Sequence, residues 1–520
     1  MSSSVKTDTM VGIPYPSRLY DHFQIQLQPG PVIRNTLKRQ GPIPMIRQSK
    51  DPKSTVSKQE LFASTPVPKA LVTMAVPTII SQLINLIYNM VDAFFIGRTG
   101  NSYMMAATSL TLTLVMMIAA LSNLFGIGGG SLFARLMGVR KPEEARKVSA
   151  FSVYGAVCIG AVYSLLVGVF LDPLLRFLGA SDATIGYARS YALVVIVIGS
   201  IPAILSQVLA HLLRNAGFSG QASAGLSGGG ILNVLLDPLF MFVLLPKGQE
   251  VTGAAIATAL SNTCACAYLL FAYRRASRNA PLSVSPRNAL STEKKNIRAL
   301  FSVGVPSAVL TGLFDVANVC VNILAAGHSD LVLAGMGIVM KVERIPNAVN
   351  LGICQGMLPI VAFNYASGNH ERMQEVIRTA RKVGLLVSAC CIVFFEIFAD
   401  PSCRLFLSAT AGDTETALIT IGYATLFLRI RCIASPMQFI NYHTSFCMQA
   451  MGEGKKTLLH AFVRELVFYI PFMFLLDRLF GETGLAAALP AGETCGAVFA
   501  LFLLHKALQE ARARKAAKTV

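Results

Sequence analysis

Residues 71–96 read LVTMAVPTIISQLINLIYNMVDAFFI, an apolar run in which Asp92 is the one charged side chain. The hydrocarbon core of a bilayer is about 30 Å thick, and a helix of about 20 apolar residues crosses it. This run therefore predicts a transmembrane helix, and eleven similar runs follow it. The twelve predicted spans are 71–96, 104–134, 146–171, 188–213, 220–245, 252–273, 297–325, 332–364, 380–400, 416–448, 457–476 and 483–506.

The composition of the whole chain agrees with a membrane protein. Of 520 residues, 53% are hydrophobic and only 14% are charged, against roughly 25% charged in a typical soluble domain. A soluble protein with so few charges could not cover its surface, whereas lipid tails accept apolar side chains. The composition predicts an all-α polytopic protein whose surroundings are the lipid bilayer.

The distribution of basic residues predicts the orientation in the membrane. The loops after even-numbered spans and the two termini hold 34 Lys and Arg residues, and the opposite side holds 6. Cytoplasmic loops carry such an excess. We therefore expect both termini on the cytoplasmic side of the plasma (cytoplasmic) membrane. The net charge of +18 is explained by these loops, so we expect no nucleic-acid partner.

The two halves of the chain resemble each other. Pro77 near the start of the first span corresponds to Pro306 in the seventh, and Pro202 in the fourth corresponds to Pro436 in the tenth. Six spans per half give parallel repeats, which in transporters enclose a central site. The predicted parts are a disordered basic tail (1–60), an N-terminal lobe (61–273), a linker (274–298), a C-terminal lobe (299–506) and a basic tail (507–520).

Several stretches between about residues 61 and 506 are typical of one family. They are LINLIYNMVD (83–92) with FIG (95–97), ILNVLLDP (231–238), GAAIAT (253–258) and QGMLP (355–359) with FNY (363–365). With these stretches the chain resembles the multidrug and toxic compound extrusion (MATE) transporters, in particular their bacterial branch. The resemblance implies two pseudo-symmetric six-helix lobes, an outward-opening V shape and antiport of cationic or amphipathic compounds against Na+ or H+.

Carboxylates inside apolar runs are the strongest candidates for a functional site, because an ionised Asp at mid-bilayer costs about 2.5–3.5 kcal/mol. Asp92 follows Tyr88 by four residues and Asp237 follows Asn233 by four, so each pair shares a helix face. Asp92 could also lie at the membrane interface, and Asp237 with Pro238 could simply end a helix. The resemblance implies that Tyr88, Asp92, Asn233, Asp237 and Thr258 form a cation- or proton-binding site.

The second half offers a different set of charged residues. Asp315 could meet a cationic substrate or pair with a base, and Lys341, Glu343 and Arg344 cluster in the eighth span as a neutralised pair or a gating contact. Some family branches use an acid in the tenth span, but residues 417–448 contain none, which puts a cation site of that kind in doubt. Arg429 and Arg431 point to different sides of a helix, and they could pair with Asp315 or Glu343.

Other functions are less consistent with these residues. No phosphate-binding loop, HExxH or GxSxG motif indicates ATP-driven transport or catalysis, and no residue cluster predicts a metal site beyond Na+ at Asp92 and Asp237. A passive channel and a flippase for lipid-linked precursors remain alternatives, the flippase because of Arg429 and Arg431. We expect small-molecule substrates, no cofactor apart from the coupling ion, no enzymatic activity and a monomer.

Overall fold

A computed structural model describes residues 58–407 and 414–519. The predicted tail 1–60 lies outside these residues apart from its last three, which begin helix α1. The helices are α1 (Lys58–Ala63), α2 (Val67–Arg98), α3 (Ser102–Gly138), α4 (Pro142–Val169), α5 (Leu171–Phe177), α6 (Ile185–Ala192), α7 (Ser200–Asn215), α8 (Ser219–Pro238), α9 (Glu250–Ala276), α10 (Pro286–Leu290), α11 (Lys294–His328), α12 (Asp330–Val342), α13 (Arg344–Ala366), α14 (His370–Leu407), α15 (Thr414–Cys432), α16 (Ser435–Met451), α17 (Gly454–Phe462) and α18 (Ile470–Thr519).

Three wider turns of π-helix continue these helices. Residues Leu193–Ile198 follow α6, Leu239–Leu244 follow α8, and Val463–Tyr469 join α17 to α18. Turns of this kind are rare in proteins and are frequent at functional sites. All three lie next to polar side chains described below.

The number of membrane crossings follows from helix length and bending. Nine segments of the described residues are long and apolar enough to cross a membrane, and the bent pairs α6–α7 (47°) and α15–α16 (51°) add two more. The segment Gly454–Ala513 has 60 residues, roughly 90 Å of helix, and Gly481 interrupts it with φ 62°. It therefore contains two spans, and the predicted total of twelve is confirmed.

Local chemistry sets several of the helix ends. The side-chain oxygen of Asn101 accepts hydrogen bonds from the backbone N–H of Tyr103 at 2.9 Å and of Met104 at 3.4 Å, which satisfies the first turn of α3. Pro142 occupies the first position of α4, where its missing N–H costs nothing. Gly452 has φ 81° and ends α16 in a conformation that favours glycine.

The helices form two lobes, here called the N-lobe (Val67–Ala276) and the C-lobe (Lys294–Thr519), which meet at two related crossings. A Cβ on Gly128 of α3 would lie 2.9 Å from the Cα of Gly304 on α11, and a Cβ on Gly356 of α13 would lie 2.6 Å from the Cα of Ala75 on α2. Only glycine allows backbones to approach so closely. The crossings correspond through the internal repeat.

Both crossings lie towards one end of the bundle, where α3 and α13 end and α2 and α11 begin. We call it the basic end, because the loops there hold most of the Lys and Arg residues. Ser131 donates a hydrogen bond to the backbone oxygen of Gln449 across the lobes at 2.6 Å. A buried apolar cluster that includes Met74, Ile127 and Met357 joins the lobes at the same level. The lobes are therefore packed together near the basic end.

Candidate functional site

The centre of the predicted N-lobe site is a hydrogen-bonded triad on α8 and α9. The amide nitrogen of Asn233 donates to Asp237 Oδ1 at 3.1 Å and to Thr258 Oγ1 at 3.3 Å. Asp237 is fully buried and Asn233 is 2% exposed. Asp237 Oδ2 and Asn233 Oδ1 have no hydrogen-bond partner among the described residues. Asp237 Oδ2 therefore remains able to bind a proton or a cation, and Asn233 Oδ1 remains able to bind a cation.

The first span brings Tyr88 and Asp92 to this triad. Gly230 allows the approach, because a Cβ there would lie 2.9 Å from Cδ1 of Tyr88. Asp92 is close enough to Asp237 to interact with it electrostatically, and Tyr88 interacts with both carboxylates. The buried Oδ1 of Asp92 has no hydrogen-bond partner among residues 58–407 and 414–519. The structure thus brings together all five residues that the sequence predicts for this site.

A small cavity adjoins three residues of this group, Tyr88, Asn233 and Thr258. Its volume is about 30 Å³, which is enough for a water molecule. Its lining mixes apolar side chains with hydroxyl and amide groups, which include those of Asn85 and Asn262. These neutral oxygens are ligands suited to a hard cation.

The N-lobe carboxylates have no positively charged neighbour among the residues that the structure describes. Within the part of the chain that the structure describes, no Lys, Arg or His nitrogen lies within 4.0 Å of either Asp92 or Asp237. Two ionised carboxylates in one low-dielectric site repel each other strongly. The arrangement therefore favours uptake of a positive charge from outside the protein.

Tyr191 is a site residue that the sequence did not reveal. It lies in the last turn of α6, just before a π-helical turn, is 8% exposed and interacts electrostatically with Asp92, Tyr88 and Asp237. A tyrosine in a half-polar stretch near the end of a predicted span is an ordinary interface residue. The packing of α6 against α3 and α9 brings Tyr191 within electrostatic range of the two carboxylates.

The predicted charged cluster of the C-lobe separates into two groups. Glu343 accepts hydrogen bonds from Nε and Nη2 of Arg431 at 2.8 and 2.9 Å, and Arg431 is 3% exposed. Arg344 points elsewhere and interacts electrostatically with Asp315 and Lys341. Glu343 thus forms the neutralised pair, but its base comes from α15 rather than from its own helix.

The two arginines of the tenth span have different surroundings, as their spacing predicts. Arg431 is buried in the pair with Glu343, whereas Arg429 is exposed and interacts electrostatically with Asp400. A flippase for lipid-linked precursors would need free cations to bind pyrophosphate. Because Arg431 is already paired, the structure adds no support to the flippase hypothesis.

Twelve spans in two repeat-related lobes, with an acidic site inside one lobe, define a multi-pass membrane transporter. The MatE family model matches residues 77–243 and 306–475, one match in each lobe. The chain belongs to the MatE family, as its resemblance to the MATE transporters predicted. The expectation that it is not an enzyme agrees with membership of a transporter family.

Relatives in staphylococci are similar over almost their full length. The chain is 28% identical to the multidrug export protein MepA of Staphylococcus saprophyticus over 444 residues, 85% of this chain and 95% of MepA. MepA of Staphylococcus haemolyticus is also 28% identical, over 85% of this chain and 94% of its own length.

Solved structures of MATE transporters share the fold. A MATE in complex with MaL6 superposes with a TM-score of 0.82 at 23% identity, covering 88% of this chain and 100% of the other. A multidrug resistance MATE transporter of the MOP superfamily in an outward-facing conformation gives a TM-score of 0.81 at 23% identity, over 89% and 100%. This similarity confirms the all-α fold of two six-helix lobes.

Proposed function

We propose that this chain exports cationic or amphipathic small organic compounds in exchange for Na+ or H+. The MepA relatives are named multidrug export proteins, which supports this class of cargo. The observation that carries the proposal is the pair of carboxylates, Asp92 and Asp237, in one N-lobe site without a basic partner among the described residues.

Exchange of a substrate for an ion requires a site at which binding of the ion changes the conformation of the protein. With no ion bound, the two carboxylates repel each other across α2 and α8. A proton or Na+ removes part of this repulsion and draws the two helices together. Na+ would use Asp237 Oδ2 and Asn233 Oδ1, which are unpartnered among the described residues, whereas H+ would bind one carboxylate alone.

The first span connects this site to the contact between the lobes. Pro77 lies inside α2, where it removes a backbone hydrogen bond and makes a bend easier. Ala75, two residues earlier, packs against Gly356 of the C-lobe. A change in the packing of α2 at Asp92 can therefore loosen the contact at the basic end. We propose alternating access in which the lobes rock about this contact.

The proposal also includes the orientation of the protein in the membrane and its oligomeric state. The excess of Lys and Arg at the basic end supports a cytoplasmic position for both termini, so the conformation with lobes packed there would face outward. Both lobes belong to one chain, which supports function as a monomer. The coupling ion is the only cofactor that the proposal needs.

The test replaces each acid by its neutral isostere in cells that efflux ethidium. We expect Asp92→Asn and Asp237→Asn each to lower efflux roughly tenfold or more, equivalent to about 1.4 kcal/mol of lost coupling. Asp182→Asn is the matched control, because Asp182 pairs with Arg176 at the surface and its side chain is 91% exposed. Efflux at the wild-type rate in both N-lobe variants, with equal amounts in the membrane, would exclude the proposed site.

A second experiment identifies the coupling ion. Purified protein in liposomes is given either a Na+ gradient or a pH gradient, and ethidium accumulation is measured for each. The gradient that drives accumulation in the wild type, but not in Asp237→Asn, belongs to the coupling ion. Ethidium entry that proceeds only to equilibrium, at the same rate with and without either gradient, would point to a passive channel instead.

A further inference from the structure

The C-lobe contains a buried group of charged residues outside the site described above. Arg464 lies in the π-helical turn Val463–Tyr469 and donates from Nη2 and Nε to the carboxylate of Glu493 on α18, at 2.5 and 3.1 Å. Asn441 of α16 also donates to Glu493 Oε2, at 2.6 Å. Three hydrogen bonds to one carboxylate favour its ionised form. Glu493 and Arg464 therefore form a complete ion pair.

A second carboxylate in the same place lacks such bonds. Glu465 is 1% exposed, and its nearest basic atom is Nη1 of Arg464, 3.5 Å from Oε1. Neither of its two oxygens accepts a hydrogen bond from the described residues. A buried ionised carboxylate without hydrogen bonds costs several kcal/mol. The environment of Glu465 therefore favours a neutral side chain.

The surrounding groups do not supply the missing positive charge. The ring of Tyr442 lies 5.1 Å from the guanidinium of Arg464. His460 is 3.0 Å from Asn441 Oδ1 and 2.9 Å from Ser445 Oγ. Because the amide nitrogen of Asn441 donates to Glu493, its oxygen accepts from His460, and the other ring nitrogen can accept from Ser445. This is the pattern of a neutral imidazole.

The next basic side chain in this group is Arg431, and it too is already paired with a carboxylate. Tyr469 follows Glu465 by four residues and interacts with both Glu465 and Arg431. Arg431 is already paired with Glu343 at 2.8 Å. Counting the buried group as a whole, Arg464 balances Glu493, Arg431 balances Glu343, and Glu465 is left as one extra negative charge.

We propose that the C-lobe holds a second proton-binding site, in which Glu465 is a carboxylic acid while Glu493 stays ionised against Arg464. Binding adds one H+ to the Glu465 carboxylate and breaks no other bond. A metal cation is disfavoured because the guanidinium of Arg464 lies beside Glu465, 3.5 Å from its Oε1.

The position of Glu465 connects this proton to moving parts of the proposed cycle, which is the one point that rests on the proposed function. Through Tyr469 and Arg431 it reaches Glu343, whose side chain is 14% exposed at the junction of α12 and α13. Towards the basic end, Glu493, Asn441 and His460 form a hydrogen-bonded chain. This chain ends at Glu493, the carboxylate that shares Arg464 with Glu465.

Infrared difference spectroscopy of the purified protein tests the site without any transport measurement, because a protonated carboxyl has a C=O stretch that a carboxylate lacks. The wild-type minus Glu465→Gln spectrum is expected to contain one carboxylic-acid band. Glu493→Gln is expected to lose the same band, since Arg464 is then free to neutralise an ionised Glu465. Glu415→Gln, at an exposed position on α15, is the control and keeps the band.

An unchanged band in either C-lobe variant overturns the proposal. If one of the two C-lobe variants does not fold, the other still tests the proposal. Loss of the carboxylic-acid band in either Glu465→Gln or Glu493→Gln supports the same charge balance. Asp237→Asn is expected to keep the band. A failure of that variant to affect efflux would therefore contradict the proposed function and leave the assignment at Glu465 intact.

Discussion

The acids of the two lobes differ in what lies next to them. Asp92 and Asp237 of the N-lobe face a tyrosine, an amide and a hydroxyl, whereas Glu493 and Glu343 of the C-lobe each accept two hydrogen bonds from a buried arginine. An acid held by a permanent base cannot exchange that charge during a cycle. The comparison teaches that Glu343 and Glu493 are held in pairs that join helices, whereas Asp92 and Asp237 keep their charge uncompensated by any base among the described residues.

The internal repeat preserves the helices and changes the depth of the acids. Asp237 lies 18 residues after Ser219, the start of α8, and Glu465 lies 11 residues after Gly454, the start of the related α17. A difference of seven residues is about 10 Å along a helix. Glu465 therefore lies closer to the basic end than Asp237 does, and the C-lobe group is not a copy of the N-lobe site.

The largest expected effect tests the structural role of the C-lobe pairs. Arg464→Met leaves the ionised Glu493 buried without its base, and breaking a buried pair in this way costs about 3–5 kcal/mol. We expect a large fall in the thermal unfolding midpoint of the detergent-solubilised protein. Asp237→Asn removes a charge that has no base and is expected to change the free energy of unfolding by less than about 1 kcal/mol.

The matched control for this experiment is an arginine in a surface pair. Arg404 contacts Asp400 at 2.6 Å, but both side chains are about half exposed, and such pairs contribute about 0–1 kcal/mol. Arg404→Met should therefore leave the unfolding midpoint nearly unchanged. If Arg464→Met and Arg404→Met lowered the unfolding midpoint equally, the buried pairs would be no more important for stability than a surface pair.

A smaller effect is expected at the crossing where the two lobes meet. A Cβ on Gly304 would lie 2.0 Å from the backbone oxygen of Leu124 in the N-lobe, so Gly304→Ala must push α3 and α11 apart, at a cost of about 1–3 kcal/mol. We expect a lower unfolding midpoint and reduced ethidium efflux. Gly312→Ala on the same helix is the control, because no described atom outside its own helix lies within 4 Å of its Cβ position.

This pair of variants separates contact between the lobes from helix propensity. Alanine is the better helix former by roughly 0.5–1 kcal/mol, so Gly312→Ala should not destabilise the protein. If Gly304→Ala were as stable and as active as Gly312→Ala, the close approach of the lobes would be unimportant for both stability and transport.

The smallest expected effect concerns Tyr191 at the N-lobe site. Tyr191→Phe keeps the ring and removes a buried hydroxyl that interacts electrostatically with Asp92 and Asp237, and we expect efflux to fall by roughly twofold, equivalent to about 0.4 kcal/mol. Tyr103→Phe is the control, because Tyr103 is 54% exposed. Equal efflux in the two variants would remove Tyr191 from the site. The C-lobe carboxylic-acid band should be unaffected in both.

The sequence predicted most of the fold because each part of it depends on local pattern. Apolar runs of bilayer length predict the spans, basic loops predict their orientation, and Pro77 with Pro306 indicates the repeat. The two N-lobe acids were visible as candidates for a similar reason, because each lies one helical turn after a second polar residue inside an apolar run. Their grouping with Thr258 into one site was implied by the resemblance to the MATE transporters.

What the tertiary structure alone decided is which helices meet. Glu343 has Arg344 beside it in the sequence but pairs with Arg431, 88 residues away, and Arg464 reaches Glu493 on a different span. Such pairs depend on how spans rotate and pack, and a helical period contains no information about the facing helix. The sequence by itself thus determined the spans and the N-lobe acids. Packing between spans decided that Tyr191 joins those acids and that Glu465 is left without a base.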